Sequence, residues 1–220
     1  MDRRKTETKL IFVRHGQSEA NVNSFFGGRY TDVPLTELGK EQAEIMAGYV
    51  SEKYKIDAIY SSTLSRAIDT AQKVAEQLGL KINCDDRLNE IDGGLWNGMG
   101  FSDISLKYNE EFELWKTDLS KVHPPEGETV YDLQKRALEA INDIAEKENG
   151  KAVFIATHRV LLRTVQCKWE NRPLCDINKC EWLSNCSVSE VLFSQGELIP
   201  INIGQDGFMG DCITRVNTSM

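Results

Sequence analysis

Three short apolar runs constrain the fold of this chain more than any other feature of its sequence. They cover residues 9–14, 57–61 and 152–157. Each run is nearly continuous and rich in aliphatic or β-branched residues, which is typical of strands that are buried on both faces of a parallel sheet. We therefore expect the three runs to be strands of one mostly parallel sheet.

Longer amphipathic segments separate these runs. Residues 36–53, 63–78 and 129–148 place apolar side chains three or four positions apart, which forms one apolar stripe along a helix. Thr129 and Asp132 give the third segment a start that resembles a capping box. Because strands and helices alternate along the chain, the sequence predicts an α/β layered fold.

The C-terminal part of the chain adds a predicted hairpin. Residues 186–194 and 197–203 are an apolar-alternating pair around a Gln-Gly turn, so we place them at or near the sheet edge. No repeat, low-complexity tract or linker divides the chain. We expect a single domain over residues 1–220, with loose tails at about 1–8 and 214–220.

The composition argues against several classes of protein. The chain has 220 residues, 40% of them hydrophobic and 27% charged, and a net charge of −8. Nucleic acids and anionic membranes attract basic surfaces, so neither is an expected partner. The start MDRRKTETKLIFV holds no apolar run as long as that of a signal peptide, and no segment approaches the roughly 20 apolar residues of a membrane span. We expect a cytoplasmic protein, and the sequence leaves its oligomeric state open.

The six cysteines allow two interpretations. Four of them fall within 20 residues and could indicate zinc: Cys167, Cys175, Cys180 and Cys186. The spacing lacks the tight C-x2-C pair of structural zinc sites, and cysteines of cytosolic proteins stay reduced. Free thiols are therefore the favoured interpretation.

Basic side chains follow each predicted strand at its carboxyl end. The first run leads into Arg14 and His15, the second into Arg66, and the third into His158 and Arg159. The carboxyl ends of parallel strands meet at one edge of the sheet, where ligands of α/β proteins bind. Guanidinium groups and helix N-termini both suit phosphate oxygens. The sequence therefore predicts an anion pocket, with phosphate as its ligand.

Other uses of these residues fit less well. A single histidine at a strand end is most often a hydrogen-bonded loop residue, but two of the three histidines lie at such ends, which favours a phosphate or acyl-transfer site. A metal site would need a third ligand, and the neighbouring arginines would repel a cation. The sequence has no G-x-S-x-G elbow of serine hydrolases and no G-x-x-x-x-G-K-[ST] loop of NTPases.

From residue 12 onward the sequence resembles the histidine phosphatase superfamily, which includes the cofactor-dependent phosphoglycerate mutases and many small-molecule phosphatases. FVRHGQSEANVNSFFGGRYTDVPLTELG carries the RHG signature. SSTLSRAIDTAQ, RLNEIDGGLWNGM, PPEGETVYDLQKR and IATHRVLLR follow in family order, and the matches cover about residues 9–203. The resemblance implies a three-layer α/β/α sandwich with a lid segment at about 95–125.

The resemblance also implies roles for individual residues. His15 would be the nucleophile and Glu90 the general acid. Five residues would bind the transferred phosphoryl group: Arg14, Gln17, Asn21, Arg66 and His158. Neither a metal nor a cofactor is implied, since arginines take the electrostatic part of a metal, and the expected partner is a small phosphorylated substrate.

The chemistry of these residue types is consistent with the implied roles. A neutral imidazole is a good nucleophile toward phosphorus, and nearby arginines disfavour its charged form. The same cations stabilise the charge of the transition state, and a carboxylic acid can protonate the departing alkoxide. We therefore expect phosphomonoester hydrolysis through a transient phosphohistidine at His15.

The segment after Glu90 distinguishes branches of the family. Mutases of the family usually carry an Arg-Tyr-Gly segment there, whereas this chain has IDGGLW, which resembles the phosphatase branch. Two alternatives stay open, a cofactor-dependent phosphoglycerate mutase and a non-catalytic phosphate-binding module.

Two departures from the common pattern remain. Arg159 stands where many family members have glycine, and we expect it to point to solvent rather than to contact a second anionic group of the substrate. The predicted lid is rich in aromatic residues, some of which could form an apolar side of the pocket: Trp96, Phe101, Tyr108, Phe112 and Trp115. Its lysines are expected to be solvated, and we assign no function after about residue 203.

Overall fold

A computed structural model describes residues 7–214 of the chain. Six strands in this range form one sheet: β1 (Thr8–Arg14), β2 (Ala58–Ser61), β3 (Ile82–Cys84), β4 (Ala152–Thr157), β5 (Val188–Ser194) and β6 (Glu197–Gln205). Their order in space is β3-β2-β4-β1-β5-β6. The first four in that order pair in parallel, and β5 is antiparallel to both of its neighbours. The prediction of a mostly parallel sheet is confirmed.

Helices cover both faces of this sheet. The described residues form seven of them: α1 (Glu19–Val22), α2 (Glu37–Lys53), α3 (Ser65–Leu78), α4 (Phe101–Lys107), α5 (Asn109–Thr117), α6 (Val130–Lys147) and α7 (Arg159–Trp169). Residues of α2 and α3 form the core on one face, and residues of α6 and α7 form the core on the other. The chain is thus the expected α/β/α sandwich.

Strand β1 shows why its sequence is continuously apolar. Leu10 and Phe12 belong to the core cluster beneath α6 and α7, whereas Ile11 and Val13 belong to the cluster beneath α2 and α3. None of the four side chains is more than 1% exposed. A strand that is buried on both faces needs apolar residues at every position, so alternation with polar residues is absent.

The turn and cap signals of the sequence appear in the structure. The Thr129 hydroxyl accepts from the Asp132 amide, and the Asp132 carboxylate accepts from the Thr129 amide, which completes a capping box. Gln195 and Gly196 have φ values of 55° and 84°, as a two-residue hairpin turn requires. Thr8 is buried in β1, so the N-terminal tail ends earlier than predicted. Residues 1–6 and 215–220 of the predicted tails lie outside the described range.

A close backbone contact fixes the loop that follows β1. A Cβ atom on Gly39, in the first turn of α2, would lie 1.9 Å from the carbonyl oxygen of Gln17. The amide of Thr36 donates to that same oxygen at 2.9 Å. Gly48, farther along α2, has nothing within 4 Å of the equivalent position. The absence of a side chain at Gly39 therefore lets α2 approach the loop after the first strand.

The lid segment packs through aromatic rings. Helices α4 and α5 lie beside Phe26, whose ring centroid is 5.1 Å from that of Trp115 and 5.8 Å from that of Trp96. Phe101 stacks on Phe112 with centroids 6.2 Å apart. The lid is therefore anchored to the segment that follows α1 by an aromatic cluster.

Candidate active site

His15 immediately follows β1, an inner strand of the sheet. Strand β1 ends at Arg14, and the His15 amide donates to the Thr157 carbonyl of the neighbouring strand at 3.0 Å. The ring nitrogen Nδ1 is 2.7 Å from the Gly16 carbonyl oxygen. A carbonyl can only accept, so Nδ1 carries the proton of this hydrogen bond. The neutral ring therefore keeps its lone pair on Nε2.

The surroundings of His15 maintain that neutral state. The residue is 4% exposed and lines a cavity together with Arg14 and Arg66. Burial, followed by the charges of Arg66 and Arg14, holds the pKa of His15 well below its usual value of 6.5. The imidazole is thus a nucleophile that needs no deprotonation near neutral pH.

The ring of a second histidine, His158, packs against that of His15. The ring centroids of His158 and His15 are 5.1 Å apart, and His158 is fully buried. Its Nε2 is 2.6 Å from the Ser62 hydroxyl, which already accepts from the Leu64 amide. We assign the hydroxyl proton to the hydrogen bond with Nε2, which leaves the ring proton on Nδ1. That Nδ1 is buried and has no partner among residues 7–214.

Two arginines complete the basic side of the cavity. Arg14 is 2% exposed and donates to the Leu183 carbonyl, while its Nε finds no partner in the described part of the chain. Burial and the charge of Arg159 lower the pKa of Arg14 to about 9. Arg66 lies in the first turn of α3, is 3% exposed, and donates to the Gly28 carbonyl. Backbone carbonyls therefore hold both guanidinium groups without neutralising their charge.

Glu90 lines the same cavity. Its carboxylate accepts hydrogen bonds from the amides of Ile91, Val160 and Leu161 at 2.9, 3.1 and 3.3 Å. The last two amides belong to the first turn of α7, whose dipole favours a negative group there. Arg136 donates to the Glu90 carbonyl at 2.9 Å and so holds the loop in place. These contacts give the carboxylate one defined orientation.

Amide side chains form the remaining polar wall. Gln17 accepts from the Thr36 hydroxyl through Oε1 at 2.8 Å. Asn21 accepts from the Ser18 amide through Oδ1 at 3.0 Å, which leaves its amino group for other partners. Asn185 donates to the His15 carbonyl at 2.8 Å and thereby holds the backbone of the nucleophile in place.

The cavity has a volume of about 230 Å³ and is lined by both polar and apolar side chains. Its polar lining residues include Arg14, His15, Gln17, Asn21, Arg66, Glu90, Arg159 and Asn185. Its apolar lining residues include Phe25, Phe26, Phe101, Phe112 and Trp115. This volume is below the roughly 300–1,000 Å³ typical of sites for drug-sized ligands, so the cavity suits a small phosphorylated metabolite.

Comparison with known proteins identifies the family. The family model described as histidine phosphatase superfamily (branch 1) matches residues 10–202. The chain belongs to this superfamily. Phosphoserine phosphatase 1 of Hydrogenobacter thermophilus is 35% identical over 159 residues, which cover 72% of this chain and 74% of the relative. A 2,3-bisphosphoglycerate-dependent phosphoglycerate mutase of Cytophaga hutchinsonii is 33% identical over 166 residues, covering 73% and 76%.

A solved structure supports the same assignment. YhfR of Bacillus stearothermophilus superposes with a TM-score of 0.88 at 31% identity, covering 92% of this chain and 99% of that protein. Both the predicted family and the predicted fold are therefore confirmed. The chain is an enzyme of the phosphatase type within the histidine phosphatase superfamily.

The predicted site residues of this histidine phosphatase lie close together, and all but one of them line the cavity. Six of the seven line the cavity directly: Arg14, His15, Gln17, Asn21, Arg66 and Glu90. The ring of His158 lies 5.1 Å from that of His15 and does not line the cavity, so its contact with phosphate stays a prediction. The expectation for Arg159 was wrong, because this side chain lines the cavity instead of extending into solvent.

Several supporting residues were not predicted. Ser62 and Arg136 occur inside the recognised motifs but act through hydrogen bonds that spacing does not reveal. Asn185 immediately precedes the predicted hairpin, and the sequence gave no other indication of its role. Thr214 lines the cavity and donates to Asn185 at 3.0 Å, so the chain contributes to the site well beyond residue 203.

The lid lysines and the cysteines lie away from this chemistry. Lys116 pairs with Glu113 and Lys121 pairs with Asp118, and neither lines the cavity. Cys167 and Cys180 are buried with their sulfur atoms 3.5 Å apart. Residues 7–214 contain no group of three or more side chains arranged to hold a metal ion. Over the same range, no helix has both the length and the apolar character needed to cross a bilayer.

Proposed function

We propose that this enzyme hydrolyses small phosphomonoesters through a phosphohistidine formed at Nε2 of His15. One observation carries the proposal. The 2.7 Å contact between His15 Nδ1 and the Gly16 carbonyl directs the lone pair of a neutral ring to Nε2, beside two buried guanidinium groups. A nucleophile and the cations that bind a phosphate dianion therefore share one small cavity.

In the first step, Nε2 of His15 attacks phosphorus while the bond from phosphorus to the ester oxygen breaks. Arg14 and Arg66, which line the cavity, would stabilise the phosphoryl oxygens as charge spreads over them. His158, which does not line the cavity, would act through its contact with the His15 ring. Glu90, protonated in the complex with the substrate dianion, gives its proton to the departing oxygen, and the alcohol leaves.

In the second step, water attacks the phosphohistidine on phosphorus. Glu90, now a carboxylate, accepts a proton from that water, and the bond from phosphorus to Nε2 breaks. The electron pair returns to His15 as the neutral ring, phosphate departs, and Glu90 is again protonated. The aromatic side of the lid would limit access of bulk water to the site.

Hydrolysis is favoured over mutase chemistry by the residues around Glu90. A mutase must retain its phosphoryl group and rebind a flipped intermediate, which requires additional donors for the substrate carboxylate. The segment after Glu90 contributes Ile91 to the cavity and no basic side chain, so among the described lining residues Arg159 is the one arginine left for a substrate carboxylate, where a mutase would need several donors. A mutase assay primed with 2,3-bisphosphoglycerate, run beside phosphate release on one preparation, tests this choice. Mutase turnover well above phosphate release would contradict hydrolysis.

The nucleophile is tested by substitution and trapping. His15→Ala should lower kcat by more than about 1,000-fold while circular dichroism and thermal unfolding still show a folded protein. Rapid quenching of the wild type with a phosphomonoester should yield an acid-labile phosphate, located on His15 by mass spectrometry under alkaline conditions. Phosphate on a serine or cysteine would refute the mechanism. Metal independence, part of the same proposal, predicts full activity in EDTA and inhibition by vanadate.

The general acid is tested by the leaving group. Glu90→Gln should slow hydrolysis of alkyl phosphates by about 100- to 10,000-fold and of aryl phosphates far less, because only the alkoxide needs a proton to leave. Asp86→Asn and Asp92→Asn are matched controls, since neither carboxylate lines the cavity. Equal losses on both substrates, or the selective loss in a control variant, would remove Glu90 from this role. Cytoplasmic location is a further part of the proposal, which cell fractionation checks.

A further inference from the structure

The cavity holds more positive charge than the transferred phosphate requires. Arg14, Arg66 and Arg159 line it, and Glu90 is the one carboxylate among its described lining residues. When Glu90 acts as an acid it enters the reaction protonated and neutral. Three guanidinium groups then face one phosphate dianion, which leaves one positive charge without a counterpart.

Arg159 is the arginine that the proposed phosphoryl transfer does not use. It is the first residue of α7, where the helix dipole disfavours a positive charge. Among the described residues its guanidinium has no hydrogen bond and no ion pair, and its Nε is buried. Burial lowers the pKa of Arg159 to about 10, although the nearby Glu90 acts in the opposite direction.

Stacking holds this guanidinium at the cavity wall. The Arg159 Cζ lies 3.8 Å from the ring centroid of Trp182, and Arg163, one helical turn later, lies 3.4 Å from the same centroid. Arg163 also donates to the Cys180 carbonyl and does not line the cavity. Stacking fixes the plane of a guanidinium but leaves its N–H donors free for a ligand.

We propose that Arg159 is a specificity-determining residue that binds a second anionic group, a carboxylate, on the leaving group of the substrate. The inference rests on the proposed hydrolysis and names its substrate class, small phosphomonoesters of hydroxy acids. The small cavity requires a short leaving group, and its aromatic residues accommodate the apolar carbons between the two anionic ends.

The test uses pairs of substrates that differ only in the second anion. O-phosphoserine and O-phosphoethanolamine differ by one carboxylate, and 3-phosphoglycerate and glycerol 3-phosphate differ by a carboxylate in place of a hydroxymethyl group. The wild type should favour the carboxylate member of each pair in kcat/KM by about 10- to 100-fold, the contribution expected of a charge-assisted hydrogen bond. Arg159→Gln should bring this ratio close to one, and Arg159→Lys should retain part of it.

Arg163→Gln is the matched control, because it removes the same charge from the same helix and the same tryptophan stack. Its substrate ratio should stay at the wild-type value. Equal losses on both members of a pair in Arg159→Gln would assign Arg159 to the transferred phosphoryl group and overturn the inference. A wild-type ratio near one, or a ratio that Arg159→Gln leaves intact, would overturn it as well.

Equilibrium binding separates this inference from the proposed function. Titration calorimetry of His15→Ala with the same pairs should show tighter binding of the carboxylate members, and the double variant with Arg159→Gln should lose that difference. This readout does not depend on turnover. If the wild type released no phosphate from phenyl phosphate, hydrolysis would fail as the function while the calorimetry still decided the role of Arg159. Equal binding of both members would refute that role.

Discussion

The two buried histidines should make this enzyme lose stability in mildly acidic solution. Burial and neighbouring arginine charges hold the pKa values of His15 and His158 well below 6.5. As the pH falls through 6.5, the unfolded chain takes up protons on both rings and the folded protein does not. The unfolding free energy is therefore unaffected by these two histidines above pH 6.5, and it decreases as the pH falls below that value.

The expected magnitude follows from proton linkage. Below pH 6.5, each ring that stays neutral in the folded state costs about 1.4 kcal/mol of unfolding free energy per pH unit. Between pH 7.5 and pH 5.5 the loss is about 1.4 kcal/mol per histidine, or nearly 3 kcal/mol for His15 and His158 together. Carboxylates whose pKa values are lowered, such as Glu148 and Glu190, lose their contribution only below about pH 4.5, outside this interval. The effect is large beside the total stability of roughly 5–15 kcal/mol that is usual for a domain.

Urea unfolding at several pH values measures this loss, in buffers without phosphate because a bound anion would alter the site. His158→Asn and His15→Asn should each show about half of the wild-type loss between pH 7.5 and 5.5, whatever their stability at pH 7.5. A wild type that is equally stable at both pH values would show that the rings are charged in the folded protein. Variants with the full wild-type loss would show that other groups cause it.

Two further predictions use neighbouring residues as controls. Gly39→Ala should lower the unfolding free energy by about 1–3 kcal/mol and reduce kcat, because the new Cβ would overlap a backbone carbonyl of the loop after β1. Gly48→Ala on the same helix should raise stability by up to about 1 kcal/mol, and equal effects in chemical denaturation would contradict the steric argument. Ser62→Ala should cost about 1–3 kcal/mol and change the tautomer of His158, read from its ¹⁵N shifts, because the ring loses its partner. Ser61→Ala, whose buried hydroxyl has no partner among the described residues, should do neither.

The part of the site formed by strand ends was predictable from the sequence. Arg14, His15 and His158 lie at the ends of runs that are typical of buried parallel strands, and such strands end at a common edge. The structure places β4 between β1 and β2, so these ends are direct neighbours. The short edge strand β3 was missed, because its three residues, Ile82, Asn83 and Cys84, are too few to form a hydrophobic pattern.

The part formed by loops and side-chain stacking was not predictable. The sequence around Arg159 does not distinguish it from a solvated residue at a helix start. Its stacking on Trp182, which is distant in the sequence, shows that it is held at the cavity. Thr214 and Asn185 meet through a hydrogen bond between segments that the sequence gives no reason to pair. Periodicity records which face of an element is buried, but it does not record contacts between loops.

The arrangement of charge explains how one cavity can both bind phosphate and keep its nucleophile reactive. Carbonyls of Leu183 and Gly28 hold the guanidinium groups of Arg14 and Arg66 in place, and these neutral partners leave the positive charge uncompensated. A carboxylate partner would have anchored them as firmly, but it would have competed with phosphate and favoured a charged, unreactive His15. The same uncompensated charge therefore lowers the pKa of the nucleophile before the substrate binds and stabilises the phosphoryl oxygens afterwards. The same charge favours the second step, because cations around the ring disfavour the positive charge of the phosphorylated imidazole and so promote its departure as the neutral ring.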